Sequence, residues 1–209
     1  MTPIYELSAI SSTGFSDNET IPIGTGCSVA LKTTVNGGSK DYMTKPNNTK
    51  LRWSSSDTTQ VTVSQNGKVT CRKNAVPGSE VTITASAKDG YGCHMEIKFR
   101  VYDRIKKVVY MDNTGKIPNK STINVSLATG YAMDDPLLYG NIKVITLHGT
   151  DNYYKEFDFQ TSDHNVVMRT KNSQSRTVLM GTAPGKSKVT YTSKDGAKVK
   201  FIINFKVVY

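Results

Sequence analysis

The chain has 209 residues, of which 37% are hydrophobic and 21% charged; this is enough apolar material for two cores of about 100 residues each, and no apolar run approaches the roughly 18 residues of a membrane span. Lys and Arg number 27 against 17 Asp and Glu, a net charge of +10, so the surface attracts polyanions in general. The lysines are scattered, with Arg104, Lys106 and Lys107 as the one tight group, which reads as a solvated face and assigns no nucleic-acid partner.

The N-terminal residues show no basic stretch followed by an apolar core, so no secretory signal is read there. A piece of a longer secreted protein, or of a larger assembly, and a protein that never enters a secretion channel both fit this start. Further along, period-two alternation marks strands at residues 61–63, 81–85, 95–101 and 201–207. Turn formers separate them: Asn66-Gly67, Pro77-Gly78, Asp89-Gly90, Pro184-Gly185 and Asp195-Gly196. Each Asp-Gly is expected to close a hairpin between the last two strands of its half. No helix is predicted.

The chain also repeats itself. Residues 51–57 (Leu-Arg-Trp-Ser-Ser-Ser-Asp) return at 157–163 (Phe-Asp-Phe-Gln-Thr-Ser-Asp), an offset of 106, and 83–90 return at 189–196 and 99–101 at 205–207 with the same offset. A constant offset over three separated segments sets a repeating unit the size of one small domain. About seven short strands per copy predict an all-β fold of two tandem sandwiches, one over residues 1–104 and one over 105–209. No Gly/Ser- or Pro-rich linker lies between them, so a stiff end-to-end junction is expected. The expected inward set of the first copy is Val29, Leu31, Trp53, Val61, Val63, Val69, Ile83, Ala85, Ile97, Phe99 and Val101, with Trp53 and its counterpart Phe159 as core plugs.

Trp53-Ser54-Ser55-Ser56-Asp57, Val61-Thr62-Val63, Asn66-Gly67-Lys68-Val69-Thr70 and Pro77-Gly78 follow one another in an order and spacing that resembles the bacterial immunoglobulin-like domain of group two. The resemblance covers residues 20–102 and, more loosely, 108–208, where Phe159 replaces the tryptophan and the Asn-Gly turn is missing. It implies tandem modules of bacterial surface proteins, including adhesins, or of phage structural proteins, with no shared catalytic residues.

Candidate chemistry is sparse. Cys27, Cys71 and Cys93 lack metal-ligand spacing, and the three histidines stand in separate segments; no catalytic residue, metal site or cofactor is assigned. Matching Ile21-Pro22 and Val29-Ala30-Leu31 to Ile117-Pro118 and Val125-Ser126-Leu127 at an offset of 96 places a ten-residue insert within 131–155. Loops on a rigid sandwich carry binding, and tyrosines supply flat amphipathic contact area. Tyr153 and Tyr154 with Asp151, and Tyr131, are therefore the candidate ligand contacts. The alternative is that residues 142–147 form an extra edge strand covered by these tyrosines. Asp134-Asp135 offers two adjacent acids, which lack the spaced oxygens of a calcium loop.

The expected function is a non-catalytic cell-surface module for adhesion, or a spacer presenting a binding element, with a host or cell-envelope glycan or protein as partner. A virion decoration protein is the alternative, favoured by Met1, the missing signal and unpaired cysteines. A carbohydrate-binding accessory module of a larger enzyme is a third, which requires a row of exposed aromatics.

Overall fold

In a computed structural model of the protein, residues 4–39, 42–44, 49–111, 114, 121–140 and 142–209 are described. Strands make up most of them, and the chain divides into two units. Unit 1 takes Met1–Arg104 with Leu147–Tyr154 and Lys194–Ala197; unit 2 takes Ile105–Thr146, Lys155–Ser193 and Lys198–Tyr209.

Unit 1 contains β1 (Ile4–Ser11), β2 (Ile21–Gly24), β3 (Ser28–Ser39), β4 (Tyr42–Thr44), β5 (Leu51–Ser55), β6 (Val61–Val63), β7 (Lys68–Cys71), β8 (Glu80–Ala87) and β9 (His94–Tyr102). One sheet runs β1-β3-β7-β6, with β4 paired to β3; the other runs β2-β9-β8-β5. The β2–β9 pair is parallel, with Ile21 opposite Phe99, and the remaining pairs are antiparallel. Strand β9 shows why the sheets face each other: Met95, Ile97, Phe99 and Val101 are buried while Glu96, Lys98 and Arg100 are exposed. A slip of one residue would turn the apolar set to water.

The expected inward residues of this unit are buried, except that Val63 is half-buried at the edge of the core. Trp53 retains 9% exposure and is a core plug. The turn after β6 depends on it, because Gly67 has φ +72° and a Cβ there would lie 3.1 Å from Trp53 Cζ2 and 3.2 Å from Leu31 O. Glycine is thus required both for its backbone conformation and for space. The sequence reading missed β1, whose Ile4, Leu7 and Ala9 join the same core.

Unit 2 contains β10 (Ile105–Tyr110), β11 (Thr122–Ala128), β12 (Ala132–Asp134), α1 (Pro136–Tyr139), β13 (Ile142–Thr146), β14 (Phe157–Thr161), β15 (Val167–Lys171), β16 (Thr177–Gly181), β17 (Gly185–Ser193) and β18 (Lys200–Val208). Its sheets are β11-β18-β17-β14, β12-β16-β15 and β10-β13. Strand β11 runs parallel to β18, as β2 does to β9. Both units are immunoglobulin-like sandwiches, with more strands than the sequence suggested. The one-turn helix α1 was not foreseen; Asp135 caps it by accepting from the Leu137 amide at 2.9 Å, and Pro136 opens it.

The repeated Ser-Asp signature has a structural cause in both units. Ser56 Oγ accepts from Thr82 N at 2.9 Å and Ser162 Oγ from Lys188 N at 2.8 Å. Asp57 accepts from the amide two residues on, Thr59, and Asp163 likewise from Asn165. The missing Asn-Gly turn is replaced by Asn172, whose side chain accepts from the amides of Gln174 and Arg176, with Ser175 at φ +60°.

Strand pairing corrects the offset of 96. Ile21 lies opposite Phe99 and Val125 opposite Phe205, so Val125 corresponds to Ile21 rather than Val29, at an offset of 104. The ten-residue insert shrinks to two, because short apolar triplets align by chance where hydrogen bonding does not. Ile117-Pro118, on which that match also rested, lies outside the described residues. What differs instead is continuity: β3 pairs with both β7 and β1, whereas in unit 2 β12 pairs with β16, β13 pairs with β10, and α1 stands between. Phe159 is also only half-buried, edge-on to the fully buried Tyr191 at 5.6 Å.

Replacing Trp53 by Ala is expected to lower the stability of unit 1 by about 3–5 kcal/mol, measured by circular dichroism in urea. Gly67→Ala is expected to lower it by about 1–2 kcal/mol, followed through Trp53 fluorescence. An unchanged midpoint for Gly67→Ala would refute the close approach.

Candidate functional site

The residues singled out between 147 and 154 are held by a buried carboxylate. Asp103, fully buried at the end of β9, accepts from the amides of His148 and Thr150 at 3.1 and 3.2 Å and from Thr150 Oγ1 at 3.0 Å. His148 Nδ1 lies 2.9 Å from Asp103 Oδ1, and Asp103 N donates to Asn152 O at 2.7 Å. A buried charge is tolerated where it is fully hydrogen-bonded in this way. The segment beyond is thereby positioned. Tyr154 packs edge-on against Tyr102 and Phe15, with ring centroids 5.3 and 5.9 Å apart. Tyr153 is half-buried, and burial followed by the Asp151 charge pushes its phenol above the usual range. Asp151 is exposed.

Tyr131 belongs to unit 2, on the turn before β12, and is 71% exposed. Residues 142–146 do form a strand, paired with β10 in unit 2, while Tyr153 and Tyr154 belong to unit 1. The adjacent acids of unit 2 each hold an arginine: Asp134 pairs with Arg176 at 2.8 Å and the buried Asp135 with Arg169 at 2.9 Å. Arg176 in turn covers Tyr139 at 4.5 Å, and Arg169 covers Phe159 at 5.2 Å. These carboxylates tie β12 and α1 to their neighbours.

Among the described residues, no hydroxyl or thiol is hydrogen-bonded to a histidine ring. The Asp103–His148 pair has the geometry that orients an imidazole, and no side chain among the described residues bonds to its Nε2. His94 Nδ1 lies against Gly92 O in its own loop, and His164 is exposed. Burial, with Asp195 second, pushes the Cys27 thiol up to about 12; burial pushes Cys71 up to about 11. All three cysteines are free thiols. Protonated buried thiols are inert.

A different surface was missed in the sequence. Asn124, Ser126, Lys186, Asn204 and Lys206 line a shallow groove of about 450 Å³ on the outer face of β11, β18 and β17. Asn204 Nδ2 donates to Asn124 Oδ1 at 3.1 Å across the parallel pair. The signal was present at the offset of 106, where Glu80 and Arg100 of the first copy become Lys186 and Lys206. The exposed tyrosines Tyr5, Tyr91, Tyr131, Tyr139 and Tyr209 stand on different elements and not along this groove.

Residues 7–99 match the family model described as Invasin, domain 4, a bacterial immunoglobulin-like domain. The resemblance read from the first copy therefore holds at the level of the bacterial immunoglobulin-like domain, with the invasin model in place of the group-two one. No curated protein matches the chain. Among solved structures, the chain is similar to the S-layer protein rSbsC(31-844), at 12% identity over 99% of this chain and 28% of that one, with a TM-score of 0.35. It is similar to the C-terminal 282-residue fragment of intimin in complex with the intimin-binding domain of the translocated intimin receptor, at 14% identity over 96% and 63%, TM-score 0.35. It is also similar to human protocadherin-24 EC1-2, at 13% identity over 99% of each chain, TM-score 0.32. The chain spans less than two thirds of the S-layer and intimin chains it matches.

Asp103→Ala is expected to free the 147–154 segment, lowering stability by about 2–4 kcal/mol and opening it to limited proteolysis, and Tyr154→Ala to lower stability by about 1–3 kcal/mol. Resistance of Asp103→Ala to cleavage would show that the clamp is dispensable. For the thiols, the folded pKa values lie above the ordinary 9.0, so the stability linked to them is intact below pH 9 and is lost as pH rises toward 11–12. Ellman's reagent at pH 8 is expected to modify Cys93 first and to reach Cys27 and Cys71 only at the rate of unfolding.

Proposed function

We propose that this chain is a non-catalytic segment of a bacterial cell-surface protein, whose immunoglobulin-like modules act in adhesion or as a stiff spacer that presents a binding element to a host or envelope glycan or protein. The observation that carries this reading is the match of residues 7–99 to invasin domain 4. Two features support it. The buried carboxylates Asp103 and Asp135 are engaged in holding loops and helix α1, and the sequence has no flexible linker between its copies.

One observation favours a second reading, a virion component that decorates a capsid or tail and contacts host-surface glycans. Cys27, Cys71 and Cys93 are unpaired, as suits a protein matured in a reducing compartment.

Antibodies raised against the chain are expected to label intact cells of the organism that encodes it, and surface proteolysis of those cells to remove the label. Label confined to lysed cells, or carried by purified virions, would overturn the cell-surface reading, and the virion result would establish the second.

A further inference from the structure

The repeat supplies an internal comparison. In unit 1, Glu80 on β8 and Arg100 on β9 stand directly opposite, with an ion pair of 3.8 Å between them. The same positions in unit 2 are Lys186 and Lys206, again directly opposite on β17 and β18. A complementary cross-strand pair has become a repulsive one on an unchanged ladder. Like charges in that arrangement destabilise a sheet, and both lysines are exposed with no ion pair among the described residues. The next acid of this strand in unit 1, Glu96, is replaced in the same register by Ile202.

Alternation gathers more charge on this face. Residues two apart on a strand point the same way, so Lys188 joins Lys186, and Lys200 lies further along the row from Lys206. Within the strands of this face the carboxylate is Asp158 on β14, opposite Thr192 and so about 20 Å from Lys186; Asp163, past the end of β14, lies beside Ser187 with its carboxylate accepting from Asn165 N. Beside the lysines, Asn124 and Asn204 are already bonded to each other, which orients their remaining donor and acceptor outward.

We propose that the outer face of β11, β18 and β17 binds a linear anionic polysaccharide, with Lys186 and Lys206 holding its acidic groups and Asn124 and Asn204 meeting its hydroxyls. Charge complementarity selects a polyanion. The floor of the groove selects among polyanions: Phe205 is only 2% exposed, and Val125 and Ser126 complete it, so no aromatic platform is offered for stacking a nucleic-acid base. Amide pairs suit a hydroxyl-rich chain. This ligand class rests on the surface-module reading above and gives it a site.

The test titrates chondroitin sulfate, polygalacturonate, neutral dextran and single-stranded DNA into the full chain by calorimetry at low and high salt. At least one acidic polysaccharide is expected to bind and dextran not, with affinity falling as salt screens the lysines; the two acidic polymers decide whether sulfate or carboxylate supplies the charge. Lys186→Gln with Lys206→Gln is expected to weaken that binding about tenfold while the melting temperature holds or rises. Lys68→Gln with Lys98→Gln in unit 1, which removes equal charge elsewhere, is expected to leave binding unchanged. Asn124→Ala with Asn204→Ala is expected to weaken polysaccharide binding while leaving its salt dependence, which the lysines set, unchanged. No binding of either acidic polysaccharide, equal losses in the two lysine pairs, or tighter binding of DNA would each overturn the proposal. Such a failure with intact-cell labelling retained removes this ligand alone, whereas loss of labelling removes the surface reading beneath it.

Discussion

The register of one hairpin governs the rest of each unit. Strands β8 and β9 pair from Glu80↔Arg100 to Ser86↔His94, and β17 and β18 pair from Gly185↔Val207 to Thr192↔Lys200. Because side chains alternate, this register decides which residues meet the facing sheet and which meet solvent. Phe99 and Phe205 are buried for the same reason that Arg100 and Lys206 are exposed. The parallel neighbours β2 and β11 lock onto the far side of the same strands, so the last strand of each unit is paired on both edges and cannot slip without losing two ladders.

Buried polarity in this protein holds backbone in place. Asp103 gathers the amides of His148 and Thr150, and Asp135 caps α1 and binds Arg169. Removing one partner from such a group is costly because the other stays desolvated. That explains why these residues are fixed by architecture and why the surfaces open to a ligand are flat sheet faces and exposed loops, where no packing obligation opposes change. The outer face of unit 2 has diverged from that of unit 1 while the ladder beneath them has not. The divergence from a Glu–Arg pair to a Lys–Lys pair runs against sheet stability, and it is the observation from which an anionic ligand is proposed.

The same distinction separates the candidate contacts. Tyr154 is half inside an aromatic cluster with Phe15 and Tyr102, and Tyr153 is partly desolvated, so both rings give part of their surface to packing. Tyrosine serves core edges and binding faces with the same amphipathic ring, and nothing local in residues 151–154 distinguishes the two uses. The basic face is hidden from the sequence for another reason. Its lysines are separated along the chain and look like solvated charge, because period-two spacing on two strands collects them only after pairing.

What the amino-acid sequence determined by itself is the content that local pattern carries. The alternating strands, the buried set around Trp53 and the Asp-Gly hairpins follow from periodicity and turn chemistry within about ten residues, and the repeat from matching such short windows at one offset of 106. Tertiary structure alone decided the offset between the copies before Trp53, the division of one long strand into β12, α1 and β13, and the recruitment of residues 147–154 and 194–197 into unit 1. It also decided that Lys186 and Lys206 confront each other. These outcomes depend on hydrogen bonds and packing between residues far apart in the chain, and no window of sequence contains both partners.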